Sequence, residues 1–256
     1  ARVEAVVLRH SDWGEADRML WLFTRELGKV KAIAKGVRKA RSRKAGHLEP
    51  FTRVSLLLAR GRDLWIVTQA ETVDAYLALR EDLLKVGYAS YAIELLDRFT
   101  YEEGEHTSLY GLVVDTLRRL NESEDPSLVV RYYEIRLLDY LGFRPLLFQC
   151  AVCGNEIKAE DQFFSAAQGG VVCPACAKRT PGTIPVSVEA LRYLRHFQRS
   201  SFRDASRANP SVSVYREMEN LMHHYLTYIL ERGLKTPSFI NRVRMEKQSA
   251  EEEKGD

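Results

Sequence analysis

The 256-residue chain is 45% hydrophobic and 10% aromatic, enough apolar material for real cores, which excludes a wholly disordered polypeptide. Its net charge of +3 hides an asymmetry: residues 1–60 hold fourteen Lys/Arg against six Asp/Glu, a balance of +8, so the remainder sums to −5. No apolar run reaches the length of a membrane span and the first residues read as a strand rather than a secretory segment, so a cytoplasmic protein with no membrane partner is expected.

The first 76 residues read as strands. Val3–His10, Arg18–Thr24, Lys29–Lys35, Phe51–Arg60 and Leu64–Tyr76 are rich in apolar and β-branched residues, and Gly14, Gly28, a basic loop and Gly61 separate them. In Lys29–Lys35 the alternation is clean: Lys29, Lys31, Ile33 and Lys35 share one face, and Val30, Ala32 and Ala34 the other. Five strands in this length fit an OB-fold, and strand count alone fits an SH3-like barrel nearly as well.

From about Leu79 the period becomes helical. Leu83, Val86, Ile93 and Leu96 form one stripe, and Leu109, Leu112, Val113, Leu117 and Leu120 another. The next helix is marked by Asp125 as N-cap, Pro126 in its first turn and Gly142 at its end, with Leu128, Tyr132, Ile135 and Leu138 as its apolar face. Helical patterns resume at Ser187–Phe197 and at Val214–Glu231, the second with Gly233 as a stop. The fold class is therefore α+β: an OB barrel over 1–78, a helical domain in two parts over 79–147 and 182–241, a cysteine segment over 148–181 inserted between them, and a polar tail over 242–256 expected to be disordered.

All four cysteines lie in one 27-residue window, Cys150, Cys153, Cys173 and Cys176, in the pattern C-x2-C-x19-C-x2-C. Two such turns on facing hairpins complete a tetrahedron of thiolates suited to one zinc ion, with Gly154, Gly169 and Gly170 supplying pliant backbone. Four cysteine ligands leave no position for a catalytic water, so the zinc is expected to be structural. Disulfides are disfavoured without an export signal, a redox CxxC needs a βαβ context, and iron–sulfur runs are spaced differently.

Between Glu26 and Glu49 there is no acidic residue, while Lys29, Lys31, Lys35, Arg38, Lys39, Arg41, Arg43 and Lys44 all fall there. Cations on a strand and its following loop can track a phosphate backbone without fixed register, so these eight are the candidate nucleic-acid contacts. A solvated basic face is the alternative. Trp13, Trp21, Phe23 and Trp65 are candidate base-stacking groups, although aromatics usually serve packing first. No Walker loop, GxSxG or dinucleotide fingerprint occurs, and His223 and His224 point about 100° apart on a helix, so neither an enzyme nor a small-molecule substrate is expected.

The order of motifs resembles the RecO family of bacterial DNA repair proteins. The resemblance begins at Val7-Leu8-Arg9-His10-Ser11-Asp12-Trp13-Gly14-Glu15-Ala16-Asp17, where the family shows a strand and then an aromatic-Gly-Glu-x-Asp loop. It continues through Leu22-Phe23-Thr24, Gly28, Ala34-Lys35-Gly36-Val37-Arg38-Lys39 and Leu48-Glu49-Pro50-Phe51. Cys150-Ala151-Val152-Cys153-Gly154, with Gly169-Gly170 before Cys173, is similar to the zinc-binding version of that family. The resemblance implies an OB-fold, a helical domain and a zinc ribbon. It implies binding to single- and double-stranded DNA, annealing of complementary strands, and partnership with RecR. It further implies work with single-strand-binding protein in loading the RecA recombinase, an indirect partner, at the nucleoid. No catalytic residue is implied, and DNA binding transfers to Lys35–Lys44. The alternatives are an RNA-binding OB and zinc-ribbon protein of the translation apparatus, a protein-binding adaptor whose basic loop meets an acidic tail, and a metal-dependent nuclease built from distant carboxylates.

Overall fold

Strand alternation in the first 74 residues closes a barrel. The computed structural model describes residues 1–42, 44–100, 106–231 and 233–255, with side chains through Ser249. The strands β1 (Arg2–Trp13), β2 (Asp17–Thr24), β3 (Gly28–Ala34), β4 (Arg53–Arg60) and β5 (Trp65–Asp74) are ordered β1-β2-β3-β5-β4, with β4 closing on β1. β3 and β5 run parallel and the other pairs antiparallel. This order is that of the OB-fold, and it resolves the choice that strand count left open. Inward positions Val3, Ala5, Val7, Leu20, Leu22, Val30, Ala32, Ala34, Val54, Leu56, Leu58 and Val67 form the core. Val37 and Leu48, on the basic β3–β4 connection, plug into the same core and so anchor both ends of that connection.

The chain forms two compact units, residues 1–126 with 236–256, and residues 127–235. In the first, α1 (Leu77–Glu81), α2 (Leu83–Phe99), α3 (Thr107–Glu122) and α9 (Thr236–Gly255) accompany the barrel. Asp82 caps α2 by accepting from the amides of Leu84 and Lys85 at 2.7 and 3.3 Å. Phe23, on the outer face of β2, is fully buried beside the rings of His106 and Tyr110. The Tyr110 hydroxyl donates to Glu4 Oε1 at 2.9 Å, and Arg53 donates to the same oxygen at 2.9 and 2.6 Å. The α3 stripe is buried as expected, but Leu83 at the start of α2 is solvent-exposed.

The disordered tail expected from residue 242 is corrected: Thr236–Gly255 is one helix. Ile240 and Val243 are buried, and α9 lies so close to α2 at Gly87 that a Cβ there would stand 3.2 Å from Ile240 and 3.3 Å from Phe239. Thr236 donates through N and Oγ1 to Glu94 Oε2, Lys247 pairs with Asp82, and Arg244 donates to the Tyr88 hydroxyl. The polar composition from residue 242 on hid Val243, which continues the apolar face begun by Phe239 and Ile240.

In the second unit α4 (Pro126–Tyr140) starts one residue after Asp125 and is buried on nearly every side, while Gly142, at φ +81°, turns the chain behind it. β6 (Gln162–Ser165), β7 (Gly170–Val172) and β8 (Ile184–Val186) make a sheet in the order β7-β6-β8, so the ribbon reaches past Pro181. The one-turn helix α5 (Pro174–Ala177) follows β7, and α6 (Val188–Arg199), α7 (Phe202–Ala205) and α8 (Val212–Leu230) complete the unit. Ser187 caps α6 and Ser211 caps α8. α8 stops at Leu230 because Glu231 itself takes the left-handed conformation at φ +51°, ahead of Gly233.

Candidate metal centre and nucleic-acid face

Two knuckles bring the cysteines together. In the first, Cys150 donates its amide to Asn155 O at 2.8 Å, and Gly154, at φ +75°, returns its own amide to Cys150 O at 2.9 Å. In the second, Cys173 leaves β7 and precedes α5, whose turn is closed by Cys176 N to Cys173 O at 3.0 Å. The knuckles are held in register because Ala151 N donates to Val171 O and Leu146 pairs with Gly170. Gly170 serves close approach rather than pliancy: a Cβ there would lie 2.5 Å from Leu146 O and 2.6 Å from Leu146 Cβ.

The ligand atoms of Cys150, Cys153, Cys173 and Cys176 all lie within 4.8 Å of one another, and Cys153 Sγ and Cys173 Sγ are 4.0 Å apart. With metal–sulfur bonds of about 2.3 Å, tetrahedral thiolates stand a little under ~4 Å apart, so the residues present fit one tetrahedral metal ion such as zinc. Electrostatics agree. Burial pushes the Cys150 thiol up, but the amides of Cys153, Cys173 and Val152 directed at its sulfur outweigh that and bring it down to about 6. Cys176 holds its proton up to about 12, foremost because of its hydrogen bond with Cys173. Four thiolates this close repel one another, and a bound cation would stabilise the fully ionised set.

The basic residues divide into two groups. Lys35, Arg38, Lys39 and Arg41 are exposed on the β3–β4 connection. That connection is latched at its start: Gly36 N donates to Asp17 Oδ1 at 2.7 Å and Arg38 N to Ala16 O at 2.9 Å. Asp17 was not singled out as a site residue, although the Gly14-Glu15-Ala16-Asp17 motif signals it. Arg38 also lies 3.4 Å from Asp12 Oδ2, a weak, exposed ion pair. Lys31 projects outward from β3, half-buried, in a row with Arg9 and Trp21 across β1, β2 and β3. Arg9, which the sequence reading also passed over, lies 3.6 Å above the Trp21 ring. Arg43 lies outside the described residues.

Lys44 and Lys29 are anchors. Lys44 Nζ donates to Val67 O at 3.1 Å and Lys35 O at 3.3 Å. Lys29 Nζ is spent on Asp97 Oδ1 at 2.9 Å, Asp97 O at 2.7 Å and Thr100 O at 2.9 Å, with its side chain only 13% exposed. Its place among the candidate DNA contacts is therefore corrected, since alternation put it on the outer face but not which outer positions helices cover. Lys29→Ala is expected to lower stability by about 1–3 kcal/mol, through the loss of a partly buried ion pair and two hydrogen bonds to backbone carbonyls, and to leave the salt dependence of DNA binding unchanged. Denaturant unfolding and binding isotherms check both halves. Of the aromatics, Phe23 is core, Trp21 and Trp65 are half-buried, and Trp13 is 55% exposed at the β1–β2 turn.

Barrel and ribbon together define an OB-fold protein that carries a four-cysteine metal-type ribbon in a second unit. The family described as recombination protein O matches both parts, its N-terminal description over residues 1–76 and its C-terminal description over residues 80–238. Among curated relatives, a DNA repair protein RecO of Roseiflexus sp. (strain RS-1) is 41% identical over 243 residues, 95% of this chain and 86% of that protein. Its counterpart in Dehalococcoides mccartyi (strain CBDB1) is 33% identical over 244 residues, covering 95% and 96%, and that of Bacillus pumilus (strain SAFR-032) 32% over 246 residues, covering 96% and 95%. The chain belongs to the recombination protein O family. Among the described residues no helix is long and apolar enough to cross a membrane.

Proposed function

We propose that this chain is a non-enzymatic recombination mediator that binds single- and double-stranded DNA, anneals complementary strands, and with RecR helps load RecA onto DNA coated by single-strand-binding protein. The observation that carries the reading is the latched, cation-rich β3–β4 connection on a closed OB barrel in a chain of this family. Two DNA strands repel each other, and a protein that neutralises both lowers the barrier to their encounter. Lys35, Arg38, Lys39 and Arg41 hold phosphates and leave base edges free to pair. Lys31, in its row with Arg9 and Trp21, extends the path over the barrel. Zinc held by the four cysteines supplies a structural cross-link and no reactive position, since thiolates fill its coordination sphere. The work is cytoplasmic and needs no nucleotide.

The test mixes complementary dye-labelled oligonucleotides with the protein in nucleotide-free buffer. Accelerated duplex formation is the expected result. Binding without annealing favours an adaptor, tighter binding to RNA than to DNA of the same sequence favours the translation alternative, and magnesium-dependent degradation of the strands favours a nuclease.

A further inference from the structure

We propose that the arginine face of α6 and α7 is a second nucleic-acid site, separate from the barrel loop, which holds the other strand during annealing. Arg192, Arg195 and Arg199 recur on α6 at spacings of three and four, so they share a face. Arg203 lies on α7 and Arg207 just after it, where Arg207 shares the lining of one cavity with Arg192, and Asp204 is the only acidic residue between 190 and 210. Among the described residues Arg195, Arg199, Arg203 and Arg207 form no ion pair, and Arg192 reaches Glu189 only at 4.0 Å.

The face is built. Arg199 lies 3.5 Å above the Phe148 ring and Arg195 5.1 Å from it, while Arg195 Nε donates to Leu147 O at 2.8 Å. Burial first, and then the like charge of Arg199, push the Arg195 guanidinium below its usual value, with Glu156 opposing, so an external anion would be welcome there. Beside this platform a cavity of about 520 Å³ is lined by Arg192, Tyr193, His196, Asp204 and Arg207. Guanidinium groups beside the Tyr193 ring, which lines the cavity, suit a nucleotide, whose phosphate meets the cations and whose base meets that ring. An acidic peptide would use the charges but not the rings. Leu147 and Phe148 lead into the first cysteine knuckle, which ties the ribbon to this face.

The inference rests on the annealing reading, and one experiment separates the two. Two non-complementary oligonucleotides carrying donor and acceptor dyes are added to the full-length, metal-loaded protein at equimolar ratio. The parent protein is expected to show energy transfer from a ternary complex. With Arg199→Ala, Arg203→Ala and Arg207→Ala combined, affinity for one oligonucleotide should fall less than about threefold, whereas ternary transfer and the annealing rate should each fall about tenfold as several phosphate contacts disappear. A folded, metal-loaded triple variant with parental ternary transfer and annealing overturns the inference. So does displacement from this face by poly-glutamate more readily than by an oligonucleotide. A parent protein that neither binds nor anneals DNA overturns the annealing reading itself.

Discussion

Cys150→Ser is expected to release the metal and unfold the ribbon while the barrel remains intact. Cys150 is the buried member of the set, 2% exposed, and its sulfur accepts the Cys173 amide at 3.4 Å. The sheet around it has strands of only four, three and three residues, too short to stand without a cross-link. Structural zinc sites contribute on the order of 10–16 kcal/mol of binding free energy, most of which appears as folding free energy. Elemental analysis should fall from one zinc per chain to near zero, and proteolysis should concentrate between residues 148 and 186. Leu147, Phe148 and the knuckles lose their frame together, so the α6 arginines should lose order as well. A variant that keeps one equivalent of zinc and parental protease resistance would show that these sulfurs are not the ligands.

Replacing Lys35, Arg38, Lys39 and Arg41 together by Ala should flatten the salt dependence of DNA binding. If these four side chains neutralise four phosphates, they supply about −3 of the log–log slope for single strands, and the variant should lose that amount at all sequences alike. Stability should barely change, since exposed substitutions of this kind usually cost under about 0.5 kcal/mol each and the core plugs Val37 and Leu48 are untouched. Affinity measured between low and high salt, in a variant whose unfolding midpoint is parental, checks this. A parental slope would make the loop a solvated face.

Much of the barrel was legible because its pattern is local. The apolar–polar alternation of Lys29–Lys35 identifies Val30, Ala32 and Ala34 as core without knowledge of their partners. The β3–β5 pairing was not legible, because a parallel closure between distant strands leaves no local signature, and it alone separates an OB-fold from other small barrels. The cysteine cluster was legible because CxxC spacing fixes geometry within each knuckle and only one partner knuckle exists. The fate of Lys29 was hidden, since its acceptors at Asp97 and Thr100 lie 68 and 71 residues away. The tail was misread for a related reason: from residue 242 on, Val243 is the one buried residue through Ser249, and Phe239 and Ile240, which seat the helix on α2 at Gly87, lie upstream of it.

Annealing through charge neutralisation is the central claim, and its most direct test is the rate at which this protein pairs complementary oligonucleotides as salt is raised, with bare strands and with strands coated by single-strand-binding protein, in the absence of any nucleotide. Acceleration at low salt that decays steeply with ionic strength, and that is lost in the Lys35, Arg38, Lys39 and Arg41 variant, is the predicted result. Annealing that requires ATP, or that keeps its rate from about 50 to 200 mM salt while phosphate-neutralising contacts should weaken severely over that range, would contradict it.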